Sequence, residues 1–148
     1  LARRQGEIVG CVAAWDQSKL RQTHIERYSP GLALARPFVN LASAISALKP
    51  MPATGARIAH GYLCLVAILD NDLQVFRGLL RHAYNALRTG PWHYAIAGLH
   101  ESDPLAQALD EYRCIDAAGR MYIVHYPQDG DPRPAIDGRT PYFEMAFA

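Results

Sequence analysis

Residues 56–112 read ARIAHGYLCLVAILDNDLQVFRGLLRHAYNALRTGPWHYAIAGLHESDPLAQALDEY, an unbroken run of strand, helix, strand and helix signals. Residues 57–69 are a long strand candidate rich in Ile, Leu and Val without strict alternation, the pattern of a strand covered on both faces. Residues 73–89 form an amphipathic helix with Leu73, Phe76, Leu80, Ala83, Tyr84 and Leu87 on its core stripe. Its opposite stripe is basic and carries Arg77, Arg81 and Arg88. Asp70, Asn71 and Asp72 are suitable caps, and Gly90-Pro91 is a strong stop. Residues 92–99 give a second apolar strand, and Asp103-Pro104 opens a short helix over residues 104–112. Two strands joined by a helix of this length are expected to lie parallel in one sheet. The mouth between such strands is where ligands gather.

Working outward, residues 36–48 place Phe38, Leu41, Ile45 and Leu48 on one helical face, with Pro37 in the first turn and Pro50 and Pro52 beyond the end. Ser29-Pro30-Gly31 is either a turn or a helix start with serine as cap. Glu7–Trp15 reads as a strand, and residues 22–28 alternate weakly enough to pair with it as a hairpin. Residues 120–126 and 142–147 read as a final strand pair around a loop rich in Pro, Gly and Asp. The expected fold is α/β in a single domain over residues 1–148: a mixed, mostly antiparallel sheet of about six strands with a central parallel pair and flanking helices.

With 148 residues, half of them hydrophobic, the chain is long enough to bury one core. Fifteen basic residues against fourteen acidic ones leave a formal net charge of +1, which gives no electrostatic footprint for nucleic acid. The apolar run over residues 58–69 carries His60 and is too short to span a bilayer, so no membrane contact is expected. Cys11, Cys64 and Cys114 are far apart, odd in number and flanked by apolar residues, as expected of buried reduced thiols in a cytoplasmic protein. The sequence begins at Leu1 and enters a strand pattern almost at once. This predicts a fragment or C-terminal domain of a longer chain. The sheet edge beside Glu7–Trp15 is then expected to be unpaired or apolar and to seek a partner, by self-association or by contact with another domain.

The order of hairpin, long strand, helix, strand, short helix and antiparallel strand pair resembles the GNAT-like acyl-CoA N-acyltransferase superfamily over roughly residues 7–148. The resemblance implies an acetyltransferase or other acyltransferase that takes acetyl-CoA or another acyl-CoA and passes the acyl group to a small-molecule amine. It places the pantetheine along Leu65, Val66, Ala67, Ile68 and Leu69, and the pyrophosphate on amides at the start of the next helix. In the mechanism it implies, backbone groups on that strand polarise the thioester carbonyl, and Tyr112 or a water returns a proton to sulfur. The family's phosphate loop carries spaced glycines, whereas here it is Leu69-Asp70-Asn71-Asp72-Leu73, and its Gly-Phe after the tyrosine is here Arg113-Cys114. Aspartates at a helix start cap the amides themselves and repel a pyrophosphate, at a cost on the order of 3 kcal/mol per contact. Weak cofactor binding is the expectation, and a non-catalytic ligand-sensing or domain-interaction module is the alternative.

Other candidates rest on residue type and place. Arg77 and Arg81 are suited to an adenosine phosphate, or else form a solvated helix face. His100 and Glu101 follow the second strand and are candidate bases for an amine, while Asp103 is explained as a cap. His-Glu-x-Asp matches no metal-ligand spacing, so no metal is expected. Trp15-Asp16-Gln17 either lines a pocket or turns a strand into a loop.

Overall fold

The computed structural model describes residues 1–46, 49–122, 124–135 and 137–147. It is a small α/β protein with an open mixed sheet. β1 (Ala2–Arg4) and β2 (Glu7–Trp15) form a hairpin whose turn residues, Gln5 and Gly6, both have positive φ, the conformation that two-residue hairpin turns favour. β3 (Thr23–His24) pairs with β4 (Arg57–Ile58) as a separate two-stranded ladder. β5 (His60–Ile68) lies antiparallel to β2 on one side and parallel to β6 (Tyr94–Ala97) on the other, giving the order β1-β2-β5-β6. The expected parallel pair is thus present, joined by the long helix α2 (Leu73–Arg88).

One main core lies between α2 and the sheet. Leu63 of β5 meets Phe76, Leu80, Ala83 and Leu87 of α2, and Leu105 and Ala108 of the 3-10 segment Pro104–Glu111 close it. The helix sits close to the sheet because two strand positions lack side chains. A Cβ on Gly10 would lie 2.9 Å from both Ile68 and Val75, and one on Gly61 would lie 2.9 Å from Leu87. A second, smaller cluster lies on the other face, where Tyr62 and Cys64 pack against Ala146.

Several expectations are corrected. The strand expected over residues 57–69 is two elements, broken at Ala59, whose carbonyl accepts the His93 amide at 2.7 Å. Residues 22–28 do not pair with β2. The backbone turns at Gln17, and Ile25 exchanges bonds with Gly55 and Ala56 instead. The parallel pair is not central, because β6 is the last strand in its sheet, and the sheet has four strands among the described residues. The expected strand pair over residues 120–126 and 142–147 forms no ladder among the described residues; residue 123 lies outside them. Side chains from the second segment bond β5 instead, and the segment ends in a 3-10 turn, Met145–Phe147.

The first long helix, α1 (Pro30–Ser43), begins at the Ser29-Pro30 start and keeps Pro37 inside it, six residues earlier than the expected 36–48 span; residue 48 lies outside the described residues. It does not cover the sheet: none of its residues is buried, and Leu34, Phe38 and Leu41 are each at least 70% exposed. Polar bonds tether it, with Arg36 donating to the carbonyls of Met51 and Pro52 and Asn40 bonding both backbone groups of Met51. The edge of β2 is not left bare, since β1 covers Glu7 to Gly10, and only the later half lacks a strand neighbour among the described residues. All three cysteines are free, but only Cys64 is buried; Cys11 is half-buried and Cys114 exposed.

Candidate functional site

The parallel pairing of β5 with β6 ends at Leu63 opposite Ala97, and two residues later β5 bulges. Leu65 has φ 53°, a left-handed conformation that costs a branched residue on the order of 1–3 kcal/mol. The register against β2 slips at the same place, where Cys11 pairs with Ala67 but Ala13 with Cys64. The extra residue reverses which side chains face α2. Leu63 points to the main core before the bulge, and Val66 and Ile68 point to it after. Without the bulge, Leu63, Leu65 and Ala67 would share one face; with it, Val66 and Ile68 take the core positions after Leu63.

The bulge leaves consecutive amides outside the ladder, and the residues 142–147 segment receives them. The Leu65 amide donates to the Glu144 carboxylate at 2.6 Å, and the Val66 amide donates to the Tyr142 hydroxyl at 3.3 Å. Tyr142 in turn donates to Glu144. On the other side of the same peptide, the Cys11 thiol donates to the Leu65 carbonyl at 3.1 Å. Burial first, and then the bond to Glu144, push the Tyr142 phenol up to about 12. Burial works against the Glu144 carboxylate, but bonds from Tyr142 and from the Leu65 and Ala146 amides outweigh it and hold its carboxyl below the ordinary value. Burial, with Glu144 nearby, pushes the Cys64 thiol up.

Neighbouring groups anchor the rest of that segment. Ala146 is buried against Tyr62 and Cys64, and its carbonyl accepts from the buried Gln17 amide. Trp15 meets Phe147 edge to face, with ring centroids 5.4 Å apart. Trp15 and Gln17, marked in the sequence as either pocket lining or strand end, therefore line the seat of the C-terminal segment. Met145 packs against Gly98, where a Cβ would lie 2.8 Å from its own.

The other candidates sit elsewhere. Arg77 pairs with Glu111 at 2.7 Å, and Arg81 reaches the same carboxylate at 3.4 Å, so both guanidinium groups are engaged by the 3-10 segment. Tyr112 packs on the main core and stacks edge to face on Tyr84, with centroids 5.1 Å apart. His100 bonds Ser102 through Nδ1 at 2.8 Å, and Glu101 is exposed. Among the described residues, no hydrogen bond joins Tyr112, His100 or Glu101 to one another or to Leu65, Val66, Ala67, Ile68 or Leu69. At the start of α2, Asp72 accepts from the Gln74 amide at 3.0 Å and the Val75 amide at 3.2 Å, as a capping residue does. Arg4 of β1 pairs with that carboxylate at 2.8 Å; this bond, with those from the Val75 and Gln74 amides, holds the Asp72 carboxyl below its ordinary value.

Tyr142 and Glu144 were not legible as site residues. Their two-residue spacing sets both side chains on one side of an extended segment, but nothing in the sequence says that this side faces a bulge in β5. Among the described residues there is no cluster of three or more His, Cys, Asp or Glu placed to hold a metal ion, and no helix is long and apolar enough to cross a membrane. Comparison with protein-family models, curated proteins and solved structures gave no match.

Proposed function

We propose that this chain is an N-acyltransferase of GNAT-like type, taking an acyl group from acetyl-CoA or another acyl-CoA to a small-molecule amine. The observation that carries the reading is the pair of consecutive amides at Leu65 and Val66, on a bulge placed where two parallel strands part. They bond a carboxylate and a phenol oxygen, so the donor set suits the oxygen of an acyl carbonyl. Coenzyme A would supply the acyl group as a thioester, an activated carbonyl that an amine attacks directly. The two amides would stabilise the charge that develops on oxygen. His100 or Glu101 would take the proton from the amine, and Tyr112 or a water would return one to sulfur. The start of α2 does not suit a pyrophosphate in the same way, because Asp72 already uses the amides of Gln74 and Val75. That favours a weakened cofactor site, with an acetyl-CoA Kd above about 100 μM, near 5.5 kcal/mol of binding.

A second reading, a non-catalytic ligand-sensing or domain-interaction module of a larger protein, is favoured by the same Asp72 cap. Calorimetry with acetyl-CoA and thiol release with a panel of amines separate the two. For the enzyme, Tyr112→Phe is expected to lower turnover by about ten- to a thousandfold with folding intact. Full activity in that variant removes Tyr112 from the chemistry, and no thiol release with any amine leaves the module reading.

A further inference from the structure

We infer that residues 142–147 are a built-in plug, which occupies the Leu65–Val66 amides through Glu144 and Tyr142 and must detach before a ligand takes them. The inference rests on the acyl-CoA reading of that site and concerns its regulation. Glu144 presents to the Leu65 amide what a bound acyl carbonyl would present, an oxygen acceptor, and it does so with a full negative charge. Tyr142 takes the adjacent amide, so the segment satisfies both exposed donors of the bulge. No ligand oxygen can share these donors with the plug, and ligand binding and plug attachment are therefore mutually exclusive.

The plug is built to hold and also to let go. Besides the bonds to the bulge, its anchors are few: the buried methyl of Ala146, one bond from Gln17, the packing of Met145 on Gly98 and the edge contact of Phe147 with Trp15. Phe147, Met145 and Tyr142 remain 67%, 41% and 54% exposed. No helix or strand ladder ties the segment down among the described residues, and the preceding residues Tyr122, Val124 and Tyr126 are exposed. Release of such a segment sacrifices little of the main core, which lies on the other face of the sheet. Segments with few buried contacts open at a small fraction of the global unfolding free energy.

The test uses the full chain. Glu144→Ala removes the carboxylate at the bulge, and Ala146→Asp expels the segment from its seat by burying a charge, without altering Leu65, Val66 or Glu144. Amide exchange at Leu65 and Val66 reports the contact itself, and calorimetry with acetyl-CoA reports the competition. Both variants are expected to speed exchange and to tighten acetyl-CoA binding by about ten- to a hundredfold, the worth of a hydrogen bond to a charged group. In the unaltered chain, saturating acetyl-CoA is expected to speed exchange in residues 144–147. Equal acetyl-CoA affinity in all three proteins, with exchange at the bulge accelerated in the variants, overturns the plug while sparing the acyl-CoA reading. Accelerated exchange with no acetyl-CoA binding in any of them overturns the acyl-CoA reading, and the segment is then a fixed cover for the sheet. Circular dichroism of both variants shows whether either has unfolded; exchange that is unchanged in a folded Glu144→Ala protein overturns the contact.

Discussion

At the scale of single residues, Leu65 is a point of backbone strain inside β5. Its left-handed backbone is unfavourable for a branched side chain, and three partners compensate: the Cys11 thiol on its carbonyl, Glu144 on its amide and Tyr142 on the next amide. The Tyr142–Glu144 pair makes the attachment depend on pH in two windows. Glu144 ionises more readily in the folded chain than in the unfolded one, so its contribution is present above its ordinary value of 4.5 and is lost as pH falls through the lower folded value. Tyr142 behaves oppositely: its contribution is complete below the ordinary 10.0 and is lost as pH rises toward about 12. Protection of the Leu65 and Val66 amides is expected to form a plateau between these limits and to fall at both ends. Replacing Tyr142 by phenylalanine should remove a phenol that ionises near pH 12 from an ultraviolet titration; a titration identical to that of the unaltered chain would contradict the hydrogen-bonded, partly buried phenol. Asp72 shows how a carboxylate that looks hostile to phosphate has a structural reason, since it caps α2 and holds Arg4 of the opening hairpin.

At the scale of elements, α2 carries the fold. Phe76, 2% exposed, is held between the sheet and the 3-10 segment, and Phe76→Ala is expected to cost about 3–5 kcal/mol in denaturant unfolding. A loss below about 1 kcal/mol would mean that the core collapses around the vacancy. Its spacing with Leu80, Ala83 and Leu87 was legible, because a helix that buries one face must repeat its apolar residues at helical period, although Tyr84 of the same expected stripe is exposed. The same logic misleads at α1. The stripe of Phe38, Leu41, Ile45 and Leu48 has helical period, and Phe38 and Leu41 lie in the helix. Yet Phe38, Leu41 and Ile45 are exposed, and polar bonds from Arg36 and Asn40 hold the helix to the loop at residues 51–52. Periodicity reports which face is apolar and does not report what covers it. The final segments failed for another reason. Alternation in Tyr142, Glu144 and Ala146 has the period of a strand, but those groups bond the bulge and fill a hollow in place of a ladder.

At the scale of the whole molecule, the chain divides into a well-packed part and a loosely held one. β2, β5, β6, α2 and the 3-10 segment share the main core, whereas α1 has no buried residue. Native-state amide exchange is expected to show α1 opening at a much lower free energy than α2, and equal protection in the two helices would contradict this division. The sequence by itself determined the strand–helix–strand unit, its parallel pairing, the cap at Asp103 and most of the core face of α2; among Asp70, Asn71 and Asp72, the structure chose Asp72 as the cap of α2. Each of the sequence-determined features follows from local period, cap chemistry or connection length, which neighbouring residues carry between them. Only the tertiary structure decided that β5 bulges at Leu65, that Arg77 and Arg81 share Glu111, and that Tyr142 and Glu144 close on amides more than seventy residues upstream. The bulge changes the parity of β5, so that Val66 and Ile68 join Leu63 on the core face. The partners at 142 and 144 matter because consecutive donors released by that bulge must be satisfied, and this is a demand of packing that no local pattern of residues expresses.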